Sequence, residues 1–141
     1  TTMKIEAEDF TAASTLAYVN FSGKGFAEIS NTTNRTFEFT INTGVAGEYL
    51  IDFRYSNGSG PWNTDNKCAI RSLYTNNAYT GALVFPQRGT DEWSDWGYSN
   101  SYTITLAKGA NKLKLVLEEW NINMNADVNT AMIDYVRLIK K

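Results

Sequence analysis

Large apolar residues occupy every second position in four stretches of the chain. They are Phe37, Phe39 and Ile41; Tyr49, Ile51, Phe53 and Tyr55; Tyr102, Ile104 and Leu106; and Leu113, Leu115 and Leu117. A period of two places such residues on one face of a pleated strand, so each stretch predicts a strand with one buried face. Weaker alternation over residues 3–8, 25–29, 67–74, 81–85 and 132–139 predicts five more strands, and no stretch carries a helical period. Roughly nine short strands in so short a chain predict an all-β fold, a two-sheet antiparallel β-sandwich built by residues 1–141 as a single domain.

Consecutive antiparallel strands send alternate connections to opposite ends of a sandwich. From Tyr49 onward the connections run long (56–66), short (75–79), long (86–97), short (107–111) and long (119–131), which gathers the long ones at one end. Trp62, Trp93, Trp96 and Trp120 all lie in or beside them. A ring at a loop tip stays exposed unless a neighbour or a ligand covers it. The same loops carry Asn57, Asn63, Asn66, Gln87, Arg88, Asn121, Asn123, Asn125 and Asn129. Planar rings beside amide and guanidinium groups suit a hydroxyl-rich ligand, whose C–H faces stack while its hydroxyls donate and accept.

Not every loop residue need face a ligand. Trp93 and Trp96 are three residues apart and cannot share a strand face, so one is expected to pack and one to bind. Trp96 abuts the next strand, which leaves Trp93 for the ligand. Trp62 sits in a polar loop that suits binding, whereas Trp120 follows Glu118 and Glu119 at a strand end and is expected to pack. Asn57 precedes Gly58, a pair that makes tight turns whatever the function, so turn-forming and ligand-binding readings are equally open. Arg88 either pairs with Asp91 or Glu92 or, with an acidic sugar, shares with Arg71 the role of a bidentate carboxylate clamp.

Composition narrows the chemistry. Thirteen Lys plus Arg against fifteen Asp plus Glu give a net charge of -2, without the basic stripe that nucleic-acid phosphates require. The chain has no histidine, the usual general base and transition-metal ligand, so any metal is expected to be a hard, oxygen-liking cation. The single Cys68 excludes an intrachain disulfide and is expected to be a buried small hydrophobe. No apolar run reaches membrane-spanning length and no leader pattern opens the chain, so it is expected to be a mature, soluble, monomeric piece of a secreted protein.

A family resemblance rests on seven segments in order: residues 5–8 (Ile5, Glu6, Ala7, Glu8), 23–26, 47–49, 54–58 (Arg54, Tyr55, Ser56, Asn57, Gly58), 93–96, 108–111 and 133–136. Together they resemble the carbohydrate-binding modules of families 6 and 35, and family 35 in particular through residues 54–58. The resemblance implies a jelly-roll sandwich without catalytic activity, joined covalently to a glycoside hydrolase or related polysaccharide-degrading enzyme. Its ligand would be a plant-type polysaccharide, of mannan, galactose-containing or uronic-acid type, taken at the loop end. It also implies a structural calcium held by Glu6, Glu8 and Asp134 with carbonyl oxygens. In keeping with that, Glu6 and Glu8 are expected on one side of the first strand. The resemblance further places a sugar-binding asparagine near Asn129. The expected binding set is therefore Trp62, Asn66, Arg88, Trp93, Asn125 and Asn129. Residues 62–68 and 124–129 are longer than the family pattern, so the sugar itself cannot be carried over.

Two competing functions remain. A protein-binding adhesion or scaffold sandwich would use the same loops against a protein surface. A small glycosidase would need two carboxylates across a glycosidic bond, drawn from Asp91, Glu92, Asp95, Glu118, Glu119 and Asp127, in a chain that is short for such an enzyme.

Overall fold

The structure is a computed structural model that describes residues 2–60 and 67–141. Among the described residues the strands are β1 (Thr2–Glu6), β2 (Ala27–Ile29), β3 (Thr36–Thr43), β4 (Gly47–Ser56), β5 (Ala69–Thr75), β6 (Ala78–Phe85), β7 (Gly97–Tyr98), β8 (Tyr102–Leu106), β9 (Gly109–Val116) and β10 (Ala131–Lys140). All nine expected strands form. β7 was not expected, because two residues are too few to show a period.

One sheet runs β1-β10-β4-β7, with β2 paired to β10 and β8 to β4; the other runs β3-β9-β5-β6. Every pairing between strands is antiparallel. β3 shows how the pattern builds the core: Phe37, Phe39, Ile41 and Thr43 turn inward while Thr36, Glu38, Thr40 and Asn42 face out. Phe37 and Phe39 meet Leu115 and Leu113 across the β3–β9 ladder. From the facing sheet come Ile51, Phe53 and Tyr55 of β4 with Val136 and Leu138 of β10, all buried in one continuous core. Each such side chain contributes about 1.5–3 kcal/mol by leaving water.

Two details bear on the acidic residues. β1 ends at Glu6 and the chain turns into a short 3₁₀ segment, Ala7–Asp9. Glu8 therefore does not share a strand face with Glu6, which corrects the sequence-based placement. The change follows from Ala7, fully buried, whose descent into the core ends the ladder. In β10 the register against β4 shifts between Ile133 and Tyr135, leaving Asp134 as the extra residue of a bulge. A bulge re-aims its side chain, and here it points the fully buried Asp134 at Arg54 of β4.

A second cluster sits outside the main core. Phe26, Trp96 and Met132 are buried together, with Tyr18, Phe21 and Trp93 packed around them. It fastens residues 10–26 to the segment before β7.

Candidate functional site

The described parts of three connections, residues 57–60 with 67–68, 86–96 and 117–130, meet at one end of the sandwich, at the ends of β4, β6 and β9. Backbone bonds lock the first two: Arg88 N–H donates to the Asn57 carbonyl at 2.8 Å and Asp91 N–H to that of Gly60 at 3.0 Å. Gly58 is pressed against the other strand of this contact, where a Cβ would fall 2.4 Å from the Glu92 carbonyl. Asn57 is fully buried; its Nδ2 donates to the Lys67 and Phe85 carbonyls, and its Oδ1 accepts from Ser59. Its side chain is thus spent on holding the loop together. Asn123 ties in the third loop by donating to the Cys68 carbonyl at 3.3 Å. Trp62 and Asn66 lie outside the described residues.

The tryptophans divide differently from the expectation. Trp96 is buried, and its indole N–H donates to the Val19 carbonyl at 2.7 Å. Trp93 also joins the second cluster, stacked on Tyr18 with centroids 5.8 Å apart and 14° between planes. One of its faces is thus taken by a residue 75 positions away. Trp120, expected to pack, is 64% exposed. The turn that presents it is rigid: Asn121 N–H bonds back to the Glu118 carbonyl, and the Asn121 side chain accepts from Glu118 N–H at 2.7 Å. Glu118 is held in turn by Ser72 and the Tyr74 hydroxyl.

Trp120 flanks a groove of about 400 Å³ lined also by Arg35, Leu117, Glu118, Glu119, Ile122 and Val128. An exposed ring beside apolar walls and mixed charges offers a stacking face with donors and acceptors within reach. Ile122 and Met124 continue the exposed apolar surface along the same loop.

The other members of the expected set are scattered. Asn125 is exposed, and its N–H bonds to Asn123 Oδ1. Asn129 accepts at its carbonyl from Arg71 Nη2 at 3.2 Å, while its own Nδ2 is buried without a partner. Arg71, offered as a carboxylate clamp, is sealed from solvent: the alternation of β5 turns it inward beside Leu73. Burial, and secondarily the charge of Arg35, pull its pKa down to about 10. Arg88 points to a separate cleft of about 440 Å³ on the flank of the sandwich, where Tyr98 and Asn100 also line the wall. It pairs with Asp95 at 3.4 Å, not with Asp91 or Glu92.

Glu6, Glu8 and Asp134 converge on the segment 22–24. Ser22 N–H donates to both Asp134 oxygens, Ser22 Oγ to Glu6 Oε1 at 2.7 Å, and Lys24 N–H to Glu8 Oε2 at 2.9 Å. Gly23, with φ +62°, sits so close that a Cβ would lie 2.7 Å from Glu8 Oε2 and 3.2 Å from Glu6 Oε2. Glu6 Oε2 and Glu8 Oε1 are buried without a hydrogen-bond partner. The donor set is all oxygen, as a hard cation requires, and its two orphaned lone-pair groups fit one. Asp134 is drawn aside by Arg54, and among the described residues no three acidic side chains stand in ready-made metal-ligand geometry.

Burial raises the Glu6 pKa above its ordinary 4.5, offset by the Ser22 hydrogen bond and reinforced by Glu8 and Asp134. Burial likewise raises Asp134 above 3.8, outweighing Ser22 and Arg54. A raised acid binds more protons folded than unfolded between its ordinary and its folded pKa, so its ionisation costs stability as pH rises through that window. In chelator the melting temperature is expected to climb as pH is lowered toward the ordinary carboxylate pKa values, read by scanning fluorimetry. A melting temperature that only falls over this range would contradict the strained carboxylate pair.

No family model matches the sequence. The chain is similar to a cycloisomaltooligosaccharide glucanotransferase of Niallia circulans, 28% identical over 123 residues that cover 86% of this chain and 12% of that protein. It is also similar to a 1,6-alpha-glucosyltransferase of Sporosarcina globispora, 31% identical over 108 residues, covering 74% of this chain and 8% of the other. The backbone superposes on CBM35 of Paenibacillus barcinonensis with a TM-score of 0.73 at 21% identity, covering 99% of both chains. The chain has the fold of a family 35 carbohydrate-binding module.

The chain spans only 8–12% of the length of these curated relatives, whereas the solved module is matched from end to end. The family 35-like fold thus accounts for a small part of each of those curated relatives and for the whole of the solved module. From the sequence Trp120 was expected to pack, and Tyr98 was not singled out; both are exposed. Trp120 had a signal, the end of the β9 alternation just before it. Tyr98 had none, since its exposure depends on the brief β7 pairing with Arg54.

Proposed function

We propose that this chain is a non-catalytic carbohydrate-binding module that keeps an attached glycan-processing enzyme close to its substrate through the groove beside Trp120. The observation that carries the reading is Trp120 itself: a large ring, exposed and held by a rigid turn, at the end where the long loops meet. An exposed ring of that kind offers a flat apolar face on which the C–H face of a sugar can stack. The fold and the place of similar segments inside large glucanotransferases support the same reading. Tethering acts by effective concentration and performs no chemistry. A shallow groove with one stacked ring gives affinities of roughly micromolar to millimolar Kd.

The ligand class follows from the relatives rather than from the groove. Two of them carry names that specify α-1,6-linked glucose chains, which ranks such glucans ahead of the mannan, galactose-containing and uronic-acid glycans. The Trp120 ring offers an uncharged stacking face to a hexose chain, with Arg35, Glu118 and Glu119 around it to pair with hydroxyls. Secretion suits a protein that meets polysaccharide outside the cell, and the described residues include no helix long and apolar enough to cross a membrane.

Calcium belongs to the same proposal. Glu6, Glu8 and Asp134 would hold it, and it would neutralise their buried charge. Saturation at about a hundred times Kd would add roughly 2.7 kcal/mol to stability. A rise in melting temperature with calcium, reversed by chelator and absent in Glu6→Gln/Glu8→Gln, is the expected result; no calcium-dependent shift would rule the ion out. For the glycan, affinity gel electrophoresis against dextran, galactomannan, mannan and polygalacturonate is expected to retard the protein in dextran. Retardation in none of them, by a folded protein, would overturn the reading in favour of a protein-binding sandwich.

A further inference from the structure

We propose a second saccharide subsite, in the flank cleft between β6 and β7, that takes a neutral glycosyl unit. The proposal rests on the carbohydrate-binding reading and adds a site to it.

The cleft is built from the edges of both sheets and shares no lining residue with the Trp120 groove. The groove lies toward β3 and β9, the cleft at β6, the opposite edge of the same sheet. Strands spaced about 4.8 Å apart set the two sites more than one sugar ring apart. Its volume, about 440 Å³, lies within the range of small-ligand sites.

Its walls are held in place before any ligand arrives. Tyr98 is 40% exposed, yet its ring is backed by the Arg137 guanidinium 3.7 Å from the ring centre. Arg137 is itself fixed on Asp52 by two bonds of 2.9 and 2.6 Å, and the Tyr98 hydroxyl bonds that of Tyr135. Asn100 is pinned to the edge of β6: its Oδ1 accepts from Val84 N–H at 2.8 Å and its Nδ2 donates to the Ala82 carbonyl at 3.0 Å. The Arg88 guanidinium lies flat over Gly97, where a Cβ would fall 2.1 Å from Nη1. Only glycine leaves room for it. Walls already ordered lose little entropy on binding.

Charge decides the ligand class. Among the described residues no carboxylate lines the cleft, and its cation Arg88 is balanced at the rim by the Asp95 carboxylate at 3.4 Å while its Nε donates to the Asp95 backbone carbonyl at 3.3 Å. A balanced pair has little to gain from an anion, but it places donors and an acceptor beside an aromatic wall, as a hydroxylated ring needs. Val84 and Pro86 supply apolar surface beneath.

The test is an amide-resolved NMR titration with isomaltotriose and, separately, glucuronate, on the wild type, Trp120→Ala, Tyr98→Ala and Arg88→Ala. The expected result is that the Ser99 and Asn100 amides shift with isomaltotriose in the wild type and equally in Trp120→Ala. Kd at these amides should rise at least tenfold in Tyr98→Ala and, as a milder variant, in Arg88→Ala. Shifts confined to the Trp120 groove would overturn the subsite and leave the module's function standing. A stronger response to glucuronate than to isomaltotriose at these amides would overturn the neutral class. Absence of any glycan-induced shift in the wild type would overturn the carbohydrate-binding reading, and the subsite with it.

Discussion

Trp120→Ala is expected to weaken glycan binding by about 2 kcal/mol, roughly thirtyfold in Kd, while leaving the fold intact. The ring is 64% exposed and makes no contribution to either buried cluster, so its removal opens no cavity. Its turn survives without it, because Asn121 and Glu118 hold each other through backbone and side-chain bonds. Trp93→Ala should behave in the opposite way. It removes the partner of Tyr18 and a wall of the second cluster, so stability drops while groove affinity changes little. Calorimetry for Kd and thermal melting for stability, run on both variants, separate the two roles. Equal losses of affinity from both would show that the groove is not the principal site.

Gly58→Ala is expected to be the most damaging single-methyl addition at the loop end. The new Cβ would sit 2.4 Å from the carbonyl carbon and oxygen of Glu92, and backbone cannot rotate away as a side-chain tip can. Relief requires parting the two loops that the Arg88–Asn57 and Asp91–Gly60 bonds hold together. Overpacking of this kind costs about 3 kcal/mol. For a domain of this size that lowers the melting temperature by roughly 6–12 °C. Gly97→Ala is the informative contrast, since the atom it meets is the end of the flexible Arg88 side chain. It should displace Arg88 from the flank cleft at a much smaller cost in stability. Similar melting temperatures for the two variants would contradict the account of how the loops are locked.

The strand framework was legible because period two is a local property. Phe37, Phe39 and Ile41 announce a buried face without reference to anything else in the chain, and β3 alternates as written. The gathering of long connections at one end followed from strand direction alone. What could not be read was which loop residue faces water, because that depends on partners far away in sequence. Trp93 looked exposed until Tyr18 covered it. Arg71 looked like a surface clamp until the phase of β5 turned it inward, where it braces the Asn129 carbonyl. Glu8 seemed to share a face with Glu6 because nothing local forecast the 3₁₀ turn between them. Yet the two carboxylates still meet at Gly23, brought together by a loop instead of a pleat.

The most direct measurement of the central claim is to follow the indole N–H signals of the tryptophans by NMR during titration with isomaltotriose. Trp96 donates to Val19 within the buried cluster and should not move. A saturable shift of the Trp120 signal, assigned by its loss in Trp120→Ala, is expected at roughly micromolar to millimolar ligand. A Trp120 signal unmoved while another indole shifts, or no indole moving with any glycan that binds, would contradict the claim.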